Sequence, residues 1–301
     1  MSHLTESEPG AQKVTIPALQ ALKSRAQRIV MLTAYDYPTA RLADEAGVDM
    51  ILVGDSLANT ALGYESTLPV TLDEMLVATR AVRRAVRRAL VVADLPFGTF
   101  QAGSDDAMRA ALRFVKEGGA EAVKVEGGRN RLALARQMVE NGIPVMGHIG
   151  LTPQSVLQMG GYKLQGKTLA AARGIVEDAL SLQDAGAFAL VLEVIPSALA
   201  RLVTRQLKIP TVGIGAGPGT DGQVLVISDL LGLNFGRAPK FVRQYADLRA
   251  TISRAVRDFA DDVRGGGYPA ETESYNVSGE VAAQLERLAD ADDASYVLFA
   301  D

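Results

Sequence analysis

Cysteine is absent from this 301-residue chain, which excludes disulfides, thiolate metal centres and a thiol nucleophile, and leaves the redox compartment open. Histidine occurs only twice, as His3 and His148, so an imidazole-rich metal site is also excluded. No apolar run approaches the roughly 20 residues that a membrane span needs, and none at the amino terminus resembles a secretory signal. No membrane association is therefore expected, and the cytoplasm is the expected location. A surplus of positive charge is missing too: 31 Lys and Arg against 35 Asp and Glu give a net charge of −4, which argues against a nucleic-acid partner. The one arginine-rich stretch, 80–88, falls on a predicted helix and reads as a solvated face or subunit contact.

What is abundant is apolar residues, 48% of the chain, and they are organised. Short runs rich in Val, Ile and Leu recur at 29–33, 50–53, 90–93, 122–125, 145–147, 189–192, 211–214 and 224–227. Most are separated by stretches long enough for a helix, so the order is strand, helix, strand, and the strands must be parallel. Eight such units predict an α/β fold, a single-domain (β/α)8 TIM barrel, a fold of about 250 residues in the usual case. Predicted outer helices cover 38–46, 72–89, 105–117, 130–141, 168–185, 197–206 and 246–265. Gly47, Gly119, Gly142 and Gly186 stand where left-handed C-caps belong, and Ser104 or Asp105 and Ser197 offer N-caps. A short helix over 14–26 is expected to close the amino-terminal end. Residues 1–12 read as a disordered leader, 13–269 as the catalytic barrel, and 270–301 as an acidic tail with one amphipathic helix over 280–293 and an apolar patch at 296–299. The long connections 57–70 and 150–167 are candidate lids.

The apolar runs end at acids. Asp55, Asp94, Glu126 and Glu193 follow the second, third, fourth and sixth runs, and in a barrel these carboxyl ends share one rim, where chemistry collects. Buried acids need a cation or protonation. Oxygen donors without cysteine favour Mg²⁺, with helix capping as the plain alternative for any single acid. Lys124 lies two residues from Glu126 and shares its strand face. It can bind a substrate carboxylate, form a Schiff base or serve as a structural ion pair. Glu193, apart from the other three, suits a general base that removes a proton beside a carbonyl; it can equally cap the next helix or pair with Lys124. His148 can donate to substrate, support another side chain from behind, or simply pack. The glycines of 213–222 offer backbone N–H groups to an anion or form a tight turn.

Several strings resemble ketopantoate hydroxymethyltransferases: Thr33-Ala34-Tyr35-Asp36, Val53-Gly54-Asp55-Ser56-Leu57, Ser66-Thr67-Leu68-Pro69-Val70-Thr71, Ala93-Asp94-Leu95-Pro96-Phe97, Val123-Lys124-Val125-Glu126-Gly127-Gly128 and Gly147-His148-Ile149-Gly150-Leu151-Thr152-Pro153-Gln154-Ser155. They occur in that family's order, between about residues 14 and 269. The resemblance implies transfer of a hydroxymethyl group from 5,10-methylenetetrahydrofolate to 3-methyl-2-oxobutanoate, giving 2-dehydropantoate. It implies Asp55, Asp94 and Glu126 as Mg²⁺ ligands, Asp55, Ser56, Asp94 and Lys124 as substrate contacts, and Glu193 as proton acceptor. It also implies a cytoplasmic homo-oligomer, a decamer in many members. The tail beyond 269 exceeds the pattern. A Mg²⁺-dependent 2-oxo acid lyase of the phosphoenolpyruvate mutase and isocitrate lyase type is the alternative, weakened because such enzymes usually use a cysteine-bearing lid.

Overall fold

A computed structural model describes residues 12–236 and 238–290. Most of the expected leader and the apolar patch at 296–299 lie outside the described residues. Eight strands form a closed parallel barrel: β1 (Ile29–Thr33), β2 (Met50–Val53), β3 (Leu90–Asp94), β4 (Ala122–Glu126), β5 (Val145–Gly150), β6 (Ala189–Glu193), β7 (Thr211–Ile214) and β8 (Gly222–Leu225), which returns to pair with β1. Alternate residues of these strands point to opposite faces. One set, including Met31, Met50, Leu90, Val92, Ala122, Met146, Ala189, Val191 and Val212, fills the barrel interior. The other, including Ile51, Val53, Val91, Val123, Val145 and Leu190, packs with the apolar faces of the outer helices.

Helix Ile16–Ser24, capped by the Thr15 side chain, buries Leu19 in the interior cluster with Ile29 and Met50, as expected of an end-closing helix. Gly47, Gly119, Gly142 and Gly186 all have positive φ at the ends of helical segments. Some details differ from the sequence reading. Ser104 and Ser197 are first helical residues rather than N-caps, following Gly103 and Pro196. β5 runs on through Gly150, because His148 faces inward on a buried strand. β8 begins earlier than its apolar run, exposed Gln223 having masked its start, and Ile227 already opens helix Ile227–Leu231. Asp229 lies within that helix.

The chain divides into two compact units, Met1–Asp247 and Leu248–Asp301. The sequence reading draws this boundary at Pro269 and gives residues 246–265 to the barrel. In the structure, helix Leu248–Gly265 opens the second unit and has no buried residue. Within that unit Phe259 and Tyr268 meet edge to face with centroids 5.4 Å apart, and helix Gly279–Asp290 follows. Among the described residues no helix is long and apolar enough to cross a membrane.

Candidate active site

The inward columns of the barrel end in charge. Leu90, Val92 and Asp94 share one face of β3, and Ala122, Lys124 and Glu126 one face of β4. Met146 and His148 do the same on β5, and Ala189, Val191 and Glu193 on β6. Strand register then sets the neighbours: Asp94 lies opposite Lys124, and Glu126 opposite His148. Asp55 sits beyond β2. Gly54 occupies the place before it, where a Cβ would stand 3.0 Å from Ser56 Oγ and 3.4 Å from Asp94 Oδ2. Glycine at 54 therefore leaves room for the two acids to meet.

Contacts link six of the seven predicted residues, and Ser56 joins Tyr35 instead. Lys124 Nζ pairs with Asp94 Oδ1 at 2.6 Å, and the Asp55 backbone N–H donates to Asp94 Oδ2 at 3.0 Å. His148 spans two acids, with Nδ1 3.4 Å from Glu126 Oε1 and Nε2 3.1 Å from Glu193 Oε2. Neither contact has hydrogen-bond geometry. Lys124 Nζ also lies 3.1 Å from His148 Nδ1. An ammonium only donates, so this contact requires an unprotonated Nδ1. Ser56 Oγ is 2.8 Å from the Tyr35 hydroxyl, which accepts from Thr33 Oγ1, which in turn accepts the Ile227 N–H.

Burial and crowding shift the charges. Burial raises the Asp55 carboxyl well above the usual range, and the repulsion of Asp94 and Glu126 adds to this. Burial also raises Asp94, against the pull of Lys124. For Lys124, burial opposes the charged form, but Asp94, Glu126 and Asp55 together hold its pKa above the ordinary lysine value. Glu126 is lowered despite burial, by His148 and Lys124. Burial and Lys124 depress the His148 imidazole, yet Glu126 and Glu193 bring it to about 9. The ring can take that second proton only by giving up the Lys124 contact.

A cavity of about 100 Å³ opens onto this cluster, lined by Thr33, Asp55, Ser56, Thr67, Asp94, Lys124, Glu126, His148 and Glu193 among others. Five buried side-chain polar atoms lack a hydrogen-bond partner among the described residues, and three of them, Thr67 Oγ1, Glu126 Oε1 and His148 Nε2, belong to residues lining this cavity. Folded interiors rarely leave such atoms unpaired, so their concentration marks a place built for a ligand.

The model of the family described as ketopantoate hydroxymethyltransferase matches residues 13–271. The chain belongs to the ketopantoate hydroxymethyltransferase family. Two relatives bear the name 3-methyl-2-oxobutanoate hydroxymethyltransferase. That of Koribacter versatilis (strain Ellin345) is 57% identical, over 91% of this chain and 93% of its own. That of Heliobacterium modesticaldum (strain ATCC 51547 / Ice1) is 52% identical, over 90% and 98%. Among solved structures, phosphonopyruvate hydrolase in complex with oxalate and Mg²⁺ matches with a TM-score of 0.56 at 15% identity, over 94% of this chain and 99% of that one. A 2,3-dimethylmalate lyase, a member of the PEP mutase/isocitrate lyase superfamily, matches with 0.53 at 17%, over 91% and 98%. These two likenesses show a shared barrel fold.

In this ketopantoate hydroxymethyltransferase family member, Gln154 belongs to the site although no sequence expectation named it. Its Nε2 donates to Asp55 Oδ2 and to the Leu95 carbonyl, both at 2.9 Å, and its backbone N–H donates to Glu126 Oε2 at 3.0 Å. A neutral amide carries no charge signal, and only its place in the string 147–155 points to it; the structure puts it in a 3-10 turn, Pro153–Ser155. Among the described residues no group of three or more His, Asp or Glu is arranged to hold a metal ion. The donors nonetheless suit a hard cation that keeps its waters and needs only one or two carboxylates. Glu126 Oε1 is a buried acceptor without a partner, and the mutual repulsion of Asp55, Asp94 and Glu126 is what a cation would relieve.

Proposed function

We propose that this chain is a 3-methyl-2-oxobutanoate hydroxymethyltransferase, using 5,10-methylenetetrahydrofolate and water to convert 3-methyl-2-oxobutanoate into 2-dehydropantoate and tetrahydrofolate, a step toward pantothenate. The observation that carries it is the small acidic cavity with unpaired polar atoms on Thr67, Glu126 and His148, in a chain of this family. A cavity of about 100 Å³ suits a short keto acid and leaves the folate at its mouth.

Asp55, Asp94 and Glu126 would hold Mg²⁺, which when bound supplies Lewis acidity at the keto oxygen. Lys124 offsets the substrate carboxylate, and the Ser56 hydroxyl, with Tyr35 behind it, donates to a substrate oxygen. Glu193 takes the proton from C3, with the His148 ring beside it. The electron pair left at C3 forms the new bond to the one-carbon unit, both of whose bonds to folate nitrogens break; water supplies the hydroxyl, and its remaining proton and the one taken from C3 end on those nitrogens. We place the protein in the cytoplasm as a homo-oligomer, a decamer by family resemblance. The exposed apolar line Ile252, Val256, Phe259 and Val263 on helix Leu248–Gly265 supports self-association, which light scattering tests.

Deuterium exchange at C3 of 3-methyl-2-oxobutanoate, followed by proton NMR in D₂O without folate, tests the reading. Exchange should require Mg²⁺ and weaken in Asp94→Asn. Folded protein that leaves C3 protonated in the presence of Mg²⁺ would defeat it.

A further inference from the structure

The connection 57–70 carries one side chain that the reaction above leaves without a task. Thr67 is 4% exposed and lines the cavity, yet its hydroxyl has no hydrogen-bond partner. Acceptors in the same cavity do not serve it: Asp94 takes Lys124 Nζ and the Asp55 N–H, and Asp55 Oδ2 takes Gln154. The loop holding it is fixed at both ends. Leu57 and Ala58 are buried at its start and Val70 at its close. Thr71 then caps helix Leu72–Ala85, its N–H donating to Glu74 Oε2 at 2.7 Å and its Oγ1 accepting the Glu74 N–H at 3.2 Å. Thr67 thus lies three residues before a buried anchor and four before a helix cap.

A buried hydroxyl held in this way destabilises the fold unless something else accepts its proton. We propose that Thr67 is a substrate-binding residue whose Oγ1–H donates to an oxygen of the bound 2-oxo acid. The assignment rests on the reading of the site as a keto-acid pocket and adds a contact that discriminates ligands bearing an oxygen at that point. Val in place of Thr keeps the shape and removes the proton donor.

Isothermal titration of 3-methyl-2-oxobutanoate into wild type, Thr67→Val and Thr67→Ser, with Mg²⁺ present, tests it alongside thermal melting. Thr67→Val should bind roughly 10- to 100-fold more weakly, the range for a hydrogen bond to a charged ligand, while melting at the same temperature or higher because an unpaired hydroxyl is gone. Thr67→Ser should bind as wild type does. Unchanged affinity in Thr67→Val would overturn the assignment, leaving a water as the partner of the hydroxyl. Equal weakening in both variants would do so as well, since the methyl and not the proton would then matter. Wild type that takes up no keto acid would instead remove the reading of the pocket itself, and this contact with it.

Discussion

At the amino-terminal end of the barrel, Asp49, Glu121 and Asp221 each stand just before a strand, and each has the same two kinds of partner. One is a backbone N–H of an adjacent strand, from Val30, Val91 and Thr211 respectively; the other is a basic side chain, from Arg88, Lys13 and Lys23. At the carboxyl-terminal end, Asp55, Asp94, Glu126 and Glu193 share one lysine and one imidazole, and no hydrogen bond reaches Glu126 Oε1 or His148 Nε2. Burial differs as well: the Lys124–Asp94 pair is 4% and 3% exposed, the Lys13–Glu121 pair 32% and 28%. An acid with its own cation and its own N–H is architecture. Acids that outnumber their cations in a dry cavity are held ready for a ligand, at a cost in stability.

The comparison breaks if the two ends respond alike to substitution. The largest effect is expected at Glu193→Gln, which should slow C3 exchange about 100- to 10,000-fold, the range for a general base, without shifting the thermal midpoint. Retained exchange would take Glu193 out of that role. Next, Lys124→Met should lower unfolding free energy by about 3–5 kcal/mol in urea titrations, because it strands Asp94 among other acids. Gln154→Ala should weaken Mn²⁺ binding, read by electron paramagnetic resonance, roughly 10- to 100-fold, as loss of a residue that orients a metal ligand does. The smallest effect belongs to the other rim. Glu121→Gln should cost about 1 kcal/mol or less, since its lysine is partly solvated, and leave exchange untouched. Exchange that falls with Glu121→Gln would erase the division between the two ends.

The strand and helix pattern and the strand-end acids were legible in the chain because both are local. A period of two in an apolar run says which residues face inward, and the first polar residue of an inward column marks the rim. Asp94, Lys124 and Glu193 follow this rule, and Glu126 is the next inward residue after Lys124. Where composition hid the period it failed: Gln223 masked the start of β8, and His148 lies within β5. The amphipathic pattern of 246–265 marks a helix correctly but carries no information on which unit it joins.

What the sequence determined by itself, then, is the barrel, the family and the identity of the charged groups, since periodicity and motif order need no third dimension. Only the tertiary structure decided that Lys124 is committed to Asp94, that Gln154 joins Asp55 to Glu126, and that the Thr67 hydroxyl is left without a partner. Those facts depend on distances across the barrel between residues far apart in the chain. Closure of the sheet sets them through strand register and burial, and no local pattern encodes them.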